Sequence, residues 1–462
     1  MYKKVGKMQK EILIKRKAIK QIEKWYSSKN RKCLLITGAR QVGKTFLIRE
    51  FLKASGSDFL ELNFLNNDLA KDAFETSKNA EEFLLKISAL AKKPLKKQST
   101  IIFIDEVQEA KEIITKIKFL VEDNSYRYIL SGSLLGVELK NVKSIPVGYM
   151  DIIEMFPLDF EEFIRANNVS EQILEYLHKC YKEEKEVDSI IHQQMIKLFN
   201  LYLVIGGFPE VVREFLKSND LMKTSSLLES IDRTYLLDIS KYDLKDSLLI
   251  KDVYDLIPSE LNHSNKRFIL KDLNTKARFY SYEESFVWLI DSNIGLFVYN
   301  ADEAKFPLLA SKERTLFKLF LCDVGLLTHK LCKDNVIKIL NGDVNFNFGA
   351  LYESAVAQEL KAKGFKLFYY NNKKFGEVDF LIEINSKVVP IEVKSGKDYK
   401  RHAALNNLVN NDELKIEKAI VYNNSNLKKV DKVLYLPIYM IMFLKDKQDS
   451  SLIYKPDLSA LK

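Results

Sequence analysis

Short apolar runs alternate with amphipathic segments over the first third of the chain. Residues 32–37 (KCLLIT) form an apolar run that stops at a glycine, and three more runs repeat this pattern: Phe59–Phe64, Thr100–Asp105 and Tyr126–Ser131. Runs of this kind are typical of strands buried on both faces. Segments with helical periodicity separate them, as in Lys44–Ala54 and Asn79–Lys92. Strands alternating with helices predict a parallel sheet and an α/β fold up to about residue 165.

The pattern changes twice beyond that point. The pattern predicts an almost wholly helical segment over residues 166–244. Over residues 245–310 it predicts two or three helices followed by an aromatic hairpin, FVWLIDSNIGLFVYN. A second α/β pattern follows Gly349, with one helix and then strands and a further helix: Lys366–Tyr370, Glu377–Ile384, Lys387–Val393, the helix His402–Val409 and the strand Lys418–Tyr422. The sequence therefore predicts several units of different architecture.

The composition fits a globular chain. With 462 residues, 47% apolar and 29% charged, we expect about two to four domains with real cores. No apolar run approaches the roughly 20 residues that span a bilayer, and the N-terminus lacks the apolar segment of a secretory signal. The four cysteines lie far apart without metal-ligand spacing, which fits a reducing compartment: Cys33, Cys180, Cys322 and Cys332. We therefore predict a cytoplasmic protein with no membrane partner.

The positive charge lies in one place. Residues 1–32 hold ten Lys, two Arg and two Glu, so they account for the whole formal net charge of +9. This N-terminal arm is either a solvated helix face, with Ile14, Ile19, Ile22 and Trp25 on its other side, or an arm that binds nucleic acid or an acidic protein. The five histidines stand alone, far apart from one another in the sequence, which predicts surface or core positions for them.

The strongest chemical signal is GARQVGKT, which spans Gly38, Ala39, Arg40, Gln41, Val42, Gly43, Lys44 and Thr45. It satisfies G-x-x-x-x-G-K-[ST] between a predicted strand and a predicted helix. The glycines let backbone N–H groups turn toward phosphate oxygens at a helix start. We expect Lys44 to reach the β- and γ-phosphates and the Thr45 hydroxyl to bind Mg²⁺.

A second strand supplies the carboxylates that such a loop needs. The run IIFIDEVQ delivers Asp105 and Glu106 to the carboxyl end of a buried strand, where open α/β sheets bind ligands. We expect Asp105 to hold Mg²⁺ through water and Glu106 to orient the attacking water. The strand YILSGS ends at Ser131, which is either a γ-phosphate sensor or only a capping serine.

GARQVGKT, FIDEVQ, LSGS and PLDFEEF together resemble the AAA-type ATPases of bacteria and archaea, the archaeal ATPase group fused to a C-terminal domain of unknown function. The resemblance implies ATP and Mg²⁺ as cofactors and divides the chain into five parts: a basic N-terminal helix (1–30), a P-loop AAA-type core (31–165), a helical lid (166–244), a winged-helix-like domain (245–335) and a small α/β nuclease-like domain (336–462).

The segment LYLVIGGFPEVV matches the lid element of the same group. The resemblance implies that Pro209 packs on the adenine, although a proline after two glycines also fits a plain helix-to-helix turn. Tyr149 stands where the group often has an arginine, so the arginine finger is open among Arg165, Arg213 and Arg233. An arginine supplied by another subunit, in a homo-oligomer, is the alternative.

A second set of polar residues lies in the C-terminal part. Glu392 and Lys394 are two apart on a predicted strand and share a face, Asp379 lies on the neighbouring strand, and Glu353 lies on the preceding helix. Two carboxylates can share a Mg²⁺ or Mn²⁺ beside a lysine. The set resembles the PD-(D/E)xK nuclease fold. Three interpretations stay open: metal-dependent phosphodiester cleavage, a nuclease-like fold that only binds, and a structural ion-pair cluster.

The local charge of this part allows a nucleic-acid partner. Ten basic and five acidic residues lie between Lys361 and Arg401. The predicted function is an Mg²⁺-dependent ATPase that acts as a nucleotide-driven switch on its C-terminal domain and on a protein partner. The alternative is an ATP-gated nuclease centred on Asp379, Glu392 and Lys394.

Overall fold

The computed structural model describes residues 12–110, 112–133, 147–263, 265–343, 347–396 and 398–445. Within them the chain forms two sheets. The N-terminal sheet has five strands in the order β2-β3-β4-β1-β5, all parallel: β1 (Cys33–Thr37), β2 (Phe59–Asn63), β3 (Ile101–Asp105), β4 (Arg127–Ser131) and β5 (Met150–Glu154). The first four confirm the strands predicted from apolar runs.

The fifth strand was not predicted. Only Met150 and Ile153 of its five residues are buried, so MDIIE lacks the continuous apolar run that marks its neighbours. It pairs along its whole length with β1, from Cys33 opposite Met150 to Thr37 opposite Glu154. Pairing with an already buried strand, rather than local hydrophobicity, therefore defines β5.

Helices cover this sheet on both faces: α1 (Ile19–Ser27), α2 (Lys44–Ser55), α3 (Asp68–Glu75), α4 (Ala80–Leu90) and α5 (Ile113–Asp123). Helix α2 buries Leu47, Ile48, Phe51 and Leu52, the i, i+1, i+4, i+5 stripe of an amphipathic helix, and it ends at Gly56 in the left-handed conformation. One side of the sheet therefore packs under the helix that follows the glycine-rich loop.

A run of five helices comes next: α6 (Phe160–Ala166), α7 (Glu171–Glu183), α8 (Ser189–Ile205), α9 (Pro209–Ser218) and α10 (Leu221–Ile239). Helix α6 begins with a capping box of Asp159 and Glu162. Helices α8 and α9 are bent by 119° at Gly206 and Gly207, and only when taken together do they reach the length and hydropathy of a bilayer span. In the described part of the chain, no single helix reaches that threshold.

Three helices and a hairpin follow: α11 (Leu244–Asn262), α12 (Leu270–Leu273), α13 (Phe279–Asp291), β6 (Gly295–Ala301) and β7 (Lys312–Leu321). The hairpin lies later than predicted, because the first half of FVWLIDSNIGLFVYN is the end of α13 and only its second half forms a strand, β6, which pairs with β7. The remaining elements are α14 (Val324–Cys332), α15 (Val336–Leu340), α16 (Gly349–Ala362), β8 (Phe368–Asn372), β9 (Gly376–Ile384), β10 (Lys387–Val393), α17 (Ala403–Val409), β11 (Ala419–Asn423), β12 (Lys428–Val430) and β13 (Val433–Pro437). Short 3₁₀ turns link several of them: Val107–Glu109, Val147–Tyr149, Leu308–Ser311, Lys333–Asn335, Asp412–Leu414 and Ile438–Phe443.

The second sheet has eight strands in the order β12-β13-β11-β10-β9-β8-β6-β7 and is mixed. The aromatic hairpin β6–β7 belongs to it, because β6 pairs in parallel with β8 through Tyr299 opposite Phe368. The hairpin of the middle segment therefore extends the C-terminal sheet, and this join brings residues of the two segments into contact. The winged-helix interpretation of residues 245–335 stays a prediction.

One apolar core runs through most of the chain. A continuous cluster of buried side chains includes Ile36 of β1, Phe160 of α6, Tyr202 of α8, Leu326 of α14 and Leu351 of α16. Smaller clusters fill the other face of each sheet. Because the large core crosses positions 165, 244 and 335, apolar packing does not mark the proposed domain boundaries, which stay predictions.

Candidate functional site: a glycine-rich loop and an acidic strand end

The glycine-rich loop between β1 and α2 needs its two glycines for different reasons. Gly38 has φ +141°, and a Cβ there would lie 2.1 Å from the Met155 carbonyl oxygen. Gly43 caps the N-terminus of α2 with φ +91°, a conformation that side-chain-bearing residues rarely adopt. Gln41, with φ +65°, makes a third left-handed turn. The backbone therefore curls tightly at the start of a helix, the geometry that binds anionic oxygens.

Lys44 is the buried cation of this loop. Its Nζ donates to the Gly38 carbonyl at 2.9 Å and to the Ala39 carbonyl at 2.7 Å. Burial lowers the pKa of Lys44 to about 8, although the carboxylates of Glu106 and Asp105 act in the opposite direction. A buried ammonium that is held only by neutral carbonyls gains from an added anion, so the loop favours phosphate.

Asp105 is the point at which three strand ends and the loop meet. Thr45 Oγ1 donates to its two carboxylate oxygens at 3.1 and 3.0 Å, and Asn63 Nδ2 donates to Oδ2 at 3.1 Å. The Ser131 hydroxyl donates to Oδ1. Burial raises the pKa of Asp105, partly offset by the Ser131 hydrogen bond. The predicted set Thr45, Asp105 and Ser131 is therefore brought together, and Asn63 joins it without a local sequence signal.

Glu106 follows Asp105 in a left-handed backbone conformation, with φ +55°. This conformation is uncommon for a residue with a side chain and costs of the order of 1 kcal/mol. It turns the chain from β3 into a 3₁₀ turn, and the Gln108 side-chain amide donates to the Glu106 carboxylate. Glu106 thus stays beside Asp105 at the strand end, only partly buried.

The helices after the sheet close over the loop. Pro209 is the first residue of α9, and a Cβ on Gly43 would lie 3.4 Å from its ring. From α10, the Tyr235 hydroxyl donates to the Arg40 carbonyl at 3.3 Å, and Asp238 pairs with the Arg40 guanidinium at 2.6 Å. Pro209 therefore packs on the loop, as a lid residue would, and α10 contacts the loop at Arg40.

The N-terminal segment also reaches the loop. Arg16 is buried, and its guanidinium donates to the Val42 carbonyl at 2.7 Å, to the Phe156 carbonyl at 2.6 Å and to the Glu162 carboxylate at about 3.2 Å. Sequence reasoning missed Arg16 because it stands within a basic run that reads as a solvated face. Ile22 and Trp25 are buried as predicted, whereas Ile19 is half-buried.

The three arginines that were candidates for a finger differ in their surroundings. Arg165 pairs with Glu161 and Glu171, and the exposed Arg233 pairs with Glu229. Arg213 on α9 lies over the Phe46 ring, with its guanidinium carbon 5.1 Å from the ring centre, and its buried Nε has no hydrogen-bond partner. Arg213 is therefore the member of the three that faces helix α2 of the loop. Tyr149 donates to Glu122.

The four predicted residues of the C-terminal part lie in one cluster. Asp379 accepts a hydrogen bond from the Val393 N–H at 2.8 Å, and Lys394 pairs with Glu392 at 2.6 Å. Burial raises the pKa of Glu392 to about 8, helped by the negative charge of Asp379. Burial also raises the pKa of Glu353 on α16. The predicted neighbourhood of Glu353, Asp379, Glu392 and Lys394 therefore forms.

Two lysines from the middle segment enter this cluster. Lys318 of β7 is 1% exposed and lies 2.7 Å from Glu377, 3.6 Å from Glu353 and 3.7 Å from Asp379. Lys266 donates to Glu353 at 2.6 Å. Both are distant in sequence, so no local motif could have revealed them. The cluster therefore holds internal ammonium groups among its carboxylates.

Comparisons with known proteins match three parts of the chain. Residues 30–164 match the family model of an AAA domain (AAA_14), whereas residues 196–335 and 348–441 match two families described only as domains of unknown function, DUF8612 and DUF4143. An uncharacterized protein of Methanocaldococcus jannaschii is 26% identical over 424 residues, which cover 86% of this chain and 84% of that protein. An uncharacterized protein of Haemophilus influenzae is 23% identical over 368 residues, covering 78% and 81% respectively.

Among solved structures, a Walker-type ATPase of Pyrococcus abyssi aligns over 70% of this chain and 97% of its own, at 14% identity and a TM-score of 0.42. The family match shows that residues 30–164 are similar to an AAA domain, and the five-stranded parallel sheet is typical of a P-loop core. Of the eight-stranded mixed sheet, strands β8 to β13 lie in the DUF4143 match, whereas β6 and β7 lie in the DUF8612 match.

Proposed function

We propose that this protein binds ATP with Mg²⁺ at the glycine-rich loop and hydrolyses it, and that the nucleotide state is passed to the C-terminal domain. The arrangement around Asp105 carries the first part of the proposal. A strand-end carboxylate, the Thr45 hydroxyl and a buried lysine converge at one helix N-terminus. Phosphoryl transfer needs chiefly this kind of positioning and charge neutralisation.

The donor set at this point fits Mg²⁺, which prefers hard oxygen ligands and keeps several waters. Thr45 Oγ1 and the Asp105 carboxylate would hold the ion, and the ion would neutralise charge on the β- and γ-phosphates. Lys44 binds the same phosphates, Glu106 orients the attacking water, and Ser131 senses the γ-phosphate. Backbone N–H groups from Gly38 to Thr45 complete the cradle, and the lid with Pro209 covers the adenine.

Buried polar contacts support the proposed switch. In the turn next to Pro209, the Gly207 carbonyl accepts from the Leu158 N–H at 2.6 Å, and the Gly207 N–H donates to the Asp323 carboxylate at 2.7 Å. Gln358 of α16 accepts from the Val324 N–H at 2.9 Å and donates to the Tyr202 hydroxyl at 2.9 Å. The lid turn is therefore joined by hydrogen bonds to the helix that carries Glu353.

A second link runs directly between the ATPase core and the same helix. Glu359 of α16 accepts a hydrogen bond from the Phe160 N–H at 2.5 Å. Because these groups are buried, a displacement of the lid turn would break their hydrogen bonds at a cost in free energy unless α16 moves with the turn. We therefore propose that α16 transmits lid position to the C-terminal cluster.

Calorimetric titration with ATP and Mg²⁺ tests the binding site. We expect Lys44→Ala to lower the affinity by about 100-fold or more, because each charge-assisted contact to phosphate contributes roughly 1.5–3 kcal/mol and Lys44 reaches two phosphates. Lys53→Ala is the matched control, since Lys53 lies on the same helix but is exposed and pairs only with Glu50. If the two variants bind ATP with equal affinity, the assignment of Lys44 to the binding site is wrong.

Hydrolysis is tested separately with Glu106→Gln, which keeps the shape of the side chain but loses its charge. We expect ATP binding within about threefold of the native protein and turnover reduced by about 10²-fold or more. Glu112→Gln, at an exposed position of the same segment, serves as the control. Phosphate release that is unchanged in Glu106→Gln would overturn this assignment. Partners and nucleic acid retained by the ATP-loaded variant would identify what the switch acts on.

A nuclease is the second candidate function, favoured by the convergence of Asp379, Glu392 and Lys394. The Glu392 Oε2 atom is buried without a hydrogen-bond partner, and carboxylates with such free oxygens suit Mg²⁺ or Mn²⁺. Lys318 opposes this candidate because it already neutralises Asp379, Glu353 and Glu377. Nucleic-acid binding without cleavage and a structural cluster are the remaining interpretations.

Nicking of supercoiled plasmid with Mg²⁺ or Mn²⁺, with and without ATP, tests the nuclease. Cleavage that disappears in Asp379→Ala but persists in Asp398→Ala, an exposed carboxylate of the same region, would support it. No cleavage of any DNA or RNA tried would exclude it and leave the binding or structural interpretation. Light scattering with and without ATP would show whether a homo-oligomer supplies an arginine finger.

The location of the protein is also a proposal. All four cysteines are buried free thiols: Cys33, Cys180, Cys322 and Cys332. Unpaired thiols are usual in reducing compartments. We therefore propose a cytoplasmic location, which fractionation of cells that express the tagged chain would test.

A further inference from the structure

Three potential metal ligands converge at the end of helix α11, away from both sites described above. Glu260 lies in the last turn of α11, His263 immediately follows the helix, and Asp272 lies on α12. One ligand atom of each side chain lies within 4.8 Å of the other two. Among the described residues, no other group of three His, Cys, Asp or Glu side chains meets this spacing.

The burial and hydrogen bonding of Glu260 are an independent observation that points to a bound ligand. Its side chain is 1% exposed, and its Oε2 accepts a hydrogen bond from the Ile269 N–H at 2.6 Å. Its Oε1 is buried and has no hydrogen-bond partner among the described residues. A buried carboxylate oxygen without a donor is costly, and the two side chains whose ligand atoms lie near that of Glu260 are an imidazole and a second carboxylate.

The surroundings of the cluster favour a cation. The C-terminal end of a helix carries partial negative charge from its last carbonyls, and Glu260 and His263 flank that end of α11. His263 and Asp272 are exposed, so an ion can enter from solvent while Glu260 anchors it from inside. One imidazole and two carboxylates are a ligand set of the kind that holds Zn²⁺, Co²⁺ or Mn²⁺ with water at open positions.

We infer that Glu260, His263 and Asp272 form a binding site for one divalent transition-metal ion. Histidine is a poor ligand for Mg²⁺ and Ca²⁺, so this ion differs in kind from the magnesium that accompanies ATP. Sequence analysis did not predict this site, because His263 has no second histidine or cysteine nearby. Its ligand partners are a glutamate one helical turn earlier and an aspartate on the next helix.

The site has a structural consequence for the C-terminal cluster. The ligands bracket the segment from His263 to Asp272, which includes Lys266, and Lys266 pairs with Glu353 at 2.6 Å. A bound ion ties both ends of this segment to α11 and so restricts the motion of Lys266. Metal binding therefore stabilises the contact between the middle segment and α16.

Titration of the chelator-treated full chain with Co²⁺ and Zn²⁺, without nucleotide, tests the inference. We expect one equivalent of Co²⁺ to bind with visible d–d absorption and to be displaced by Zn²⁺. His263→Ala should weaken binding by about 10-fold or more, since loss of a ligand costs at least as much as loss of its supporting hydrogen bond. Glu260→Gln should act in the same direction. Amide hydrogen exchange in residues 265–270 should slow on metal addition.

Two controls separate this site from others. His178→Ala removes a histidine that packs against Phe443, and Asp379→Ala disables the C-terminal cluster, so both variants should retain the high-affinity ion. His263 is exposed, and circular dichroism will verify that its variant is folded. Absence of Co²⁺ and Zn²⁺ binding would overturn the inference. Binding unchanged in both His263→Ala and Glu260→Gln would overturn it equally, whatever the ATPase experiments show.

Discussion

Replacement of Lys318 by methionine removes the buried cation of the C-terminal cluster and keeps most of the side-chain volume. In the native chain this ammonium lies within 4 Å of three carboxylates, Glu353, Glu377 and Asp379, at 1% exposure. Although burial lowers the pKa of Lys318, these carboxylates raise it well above its usual range. The native lysine therefore stays charged, and its stabilisation is lost only at strongly alkaline pH.

The magnitude follows from the burial of the partners. Removing one member of a buried ion pair costs about 3–5 kcal/mol, because the remaining charge stays buried and unpaired. Over a cooperative unit of roughly 200 residues this corresponds to a decrease in Tm of about 6–20 °C. Lys387→Met removes an ion pair of similar length, 2.6 Å to Glu417, but both side chains are more than half exposed. We expect that control to change stability by about 0–1 kcal/mol.

The assay is thermal and urea denaturation of both variants and the native chain between pH 5 and pH 8. In Lys318→Met, Glu353 loses a group that lowers its pKa, so the folded pKa of Glu353, which burial already raises, rises further above its unfolded value. Protonation then relieves the unpaired charge, and the penalty should be small near pH 5 and full near pH 8. Equal destabilisation by the two Lys→Met changes, or a penalty independent of pH, would refute a buried counter-ion.

Other consequences can be checked one by one. The pKa of Lys44 is lowered to about 8 in the nucleotide-free protein, so ATP binding above that pH takes up a proton. The affinity for ATP, measured by calorimetry, should therefore fall by about tenfold per pH unit above 8. Lys44→Arg should flatten this pH dependence. Gly206→Ala should destabilise more than Gly364→Ala. Both glycines have positive φ, but a Cβ at Gly206 would lie 2.1 Å from the Asp323 carboxylate, whereas nothing lies within 4 Å of one at Gly364. Equal melting temperatures would exclude that clash. Arg16→Met leaves the Val42 and Phe156 carbonyls without their donor and should weaken ATP binding about tenfold, whereas Arg31→Met, at an exposed position, should not.

Local sequence patterns were sufficient for the glycine-rich loop and the strands beside it. Strands β1, β3 and β4 of the first sheet are nearly continuous apolar runs, because strands buried on both faces need apolar side chains at almost every position, whereas only Leu62 of the edge strand β2 is buried. GARQVGKT and IIFIDE were read from neighbouring residues because the loop and the strand end depend on short-range backbone geometry. Strand β5 was not predicted, because its pairing with β1 and not its composition defines it as a strand.

Long-range contacts decided the rest. Arg16 and Asp238 reach the loop, and Asn63 reaches Asp105, from distant parts of the chain. Lys318 reaches the acidic cluster because the hairpin β6–β7 joins the C-terminal sheet, and Lys266 reaches it from the segment after α11. Such contacts depend on which elements pack together, and the free energy of packing comes from burial summed over the whole core. The sequence by itself determined the chemistry of the phosphate-binding loop; only the tertiary structure decided which charges neutralise the C-terminal carboxylates.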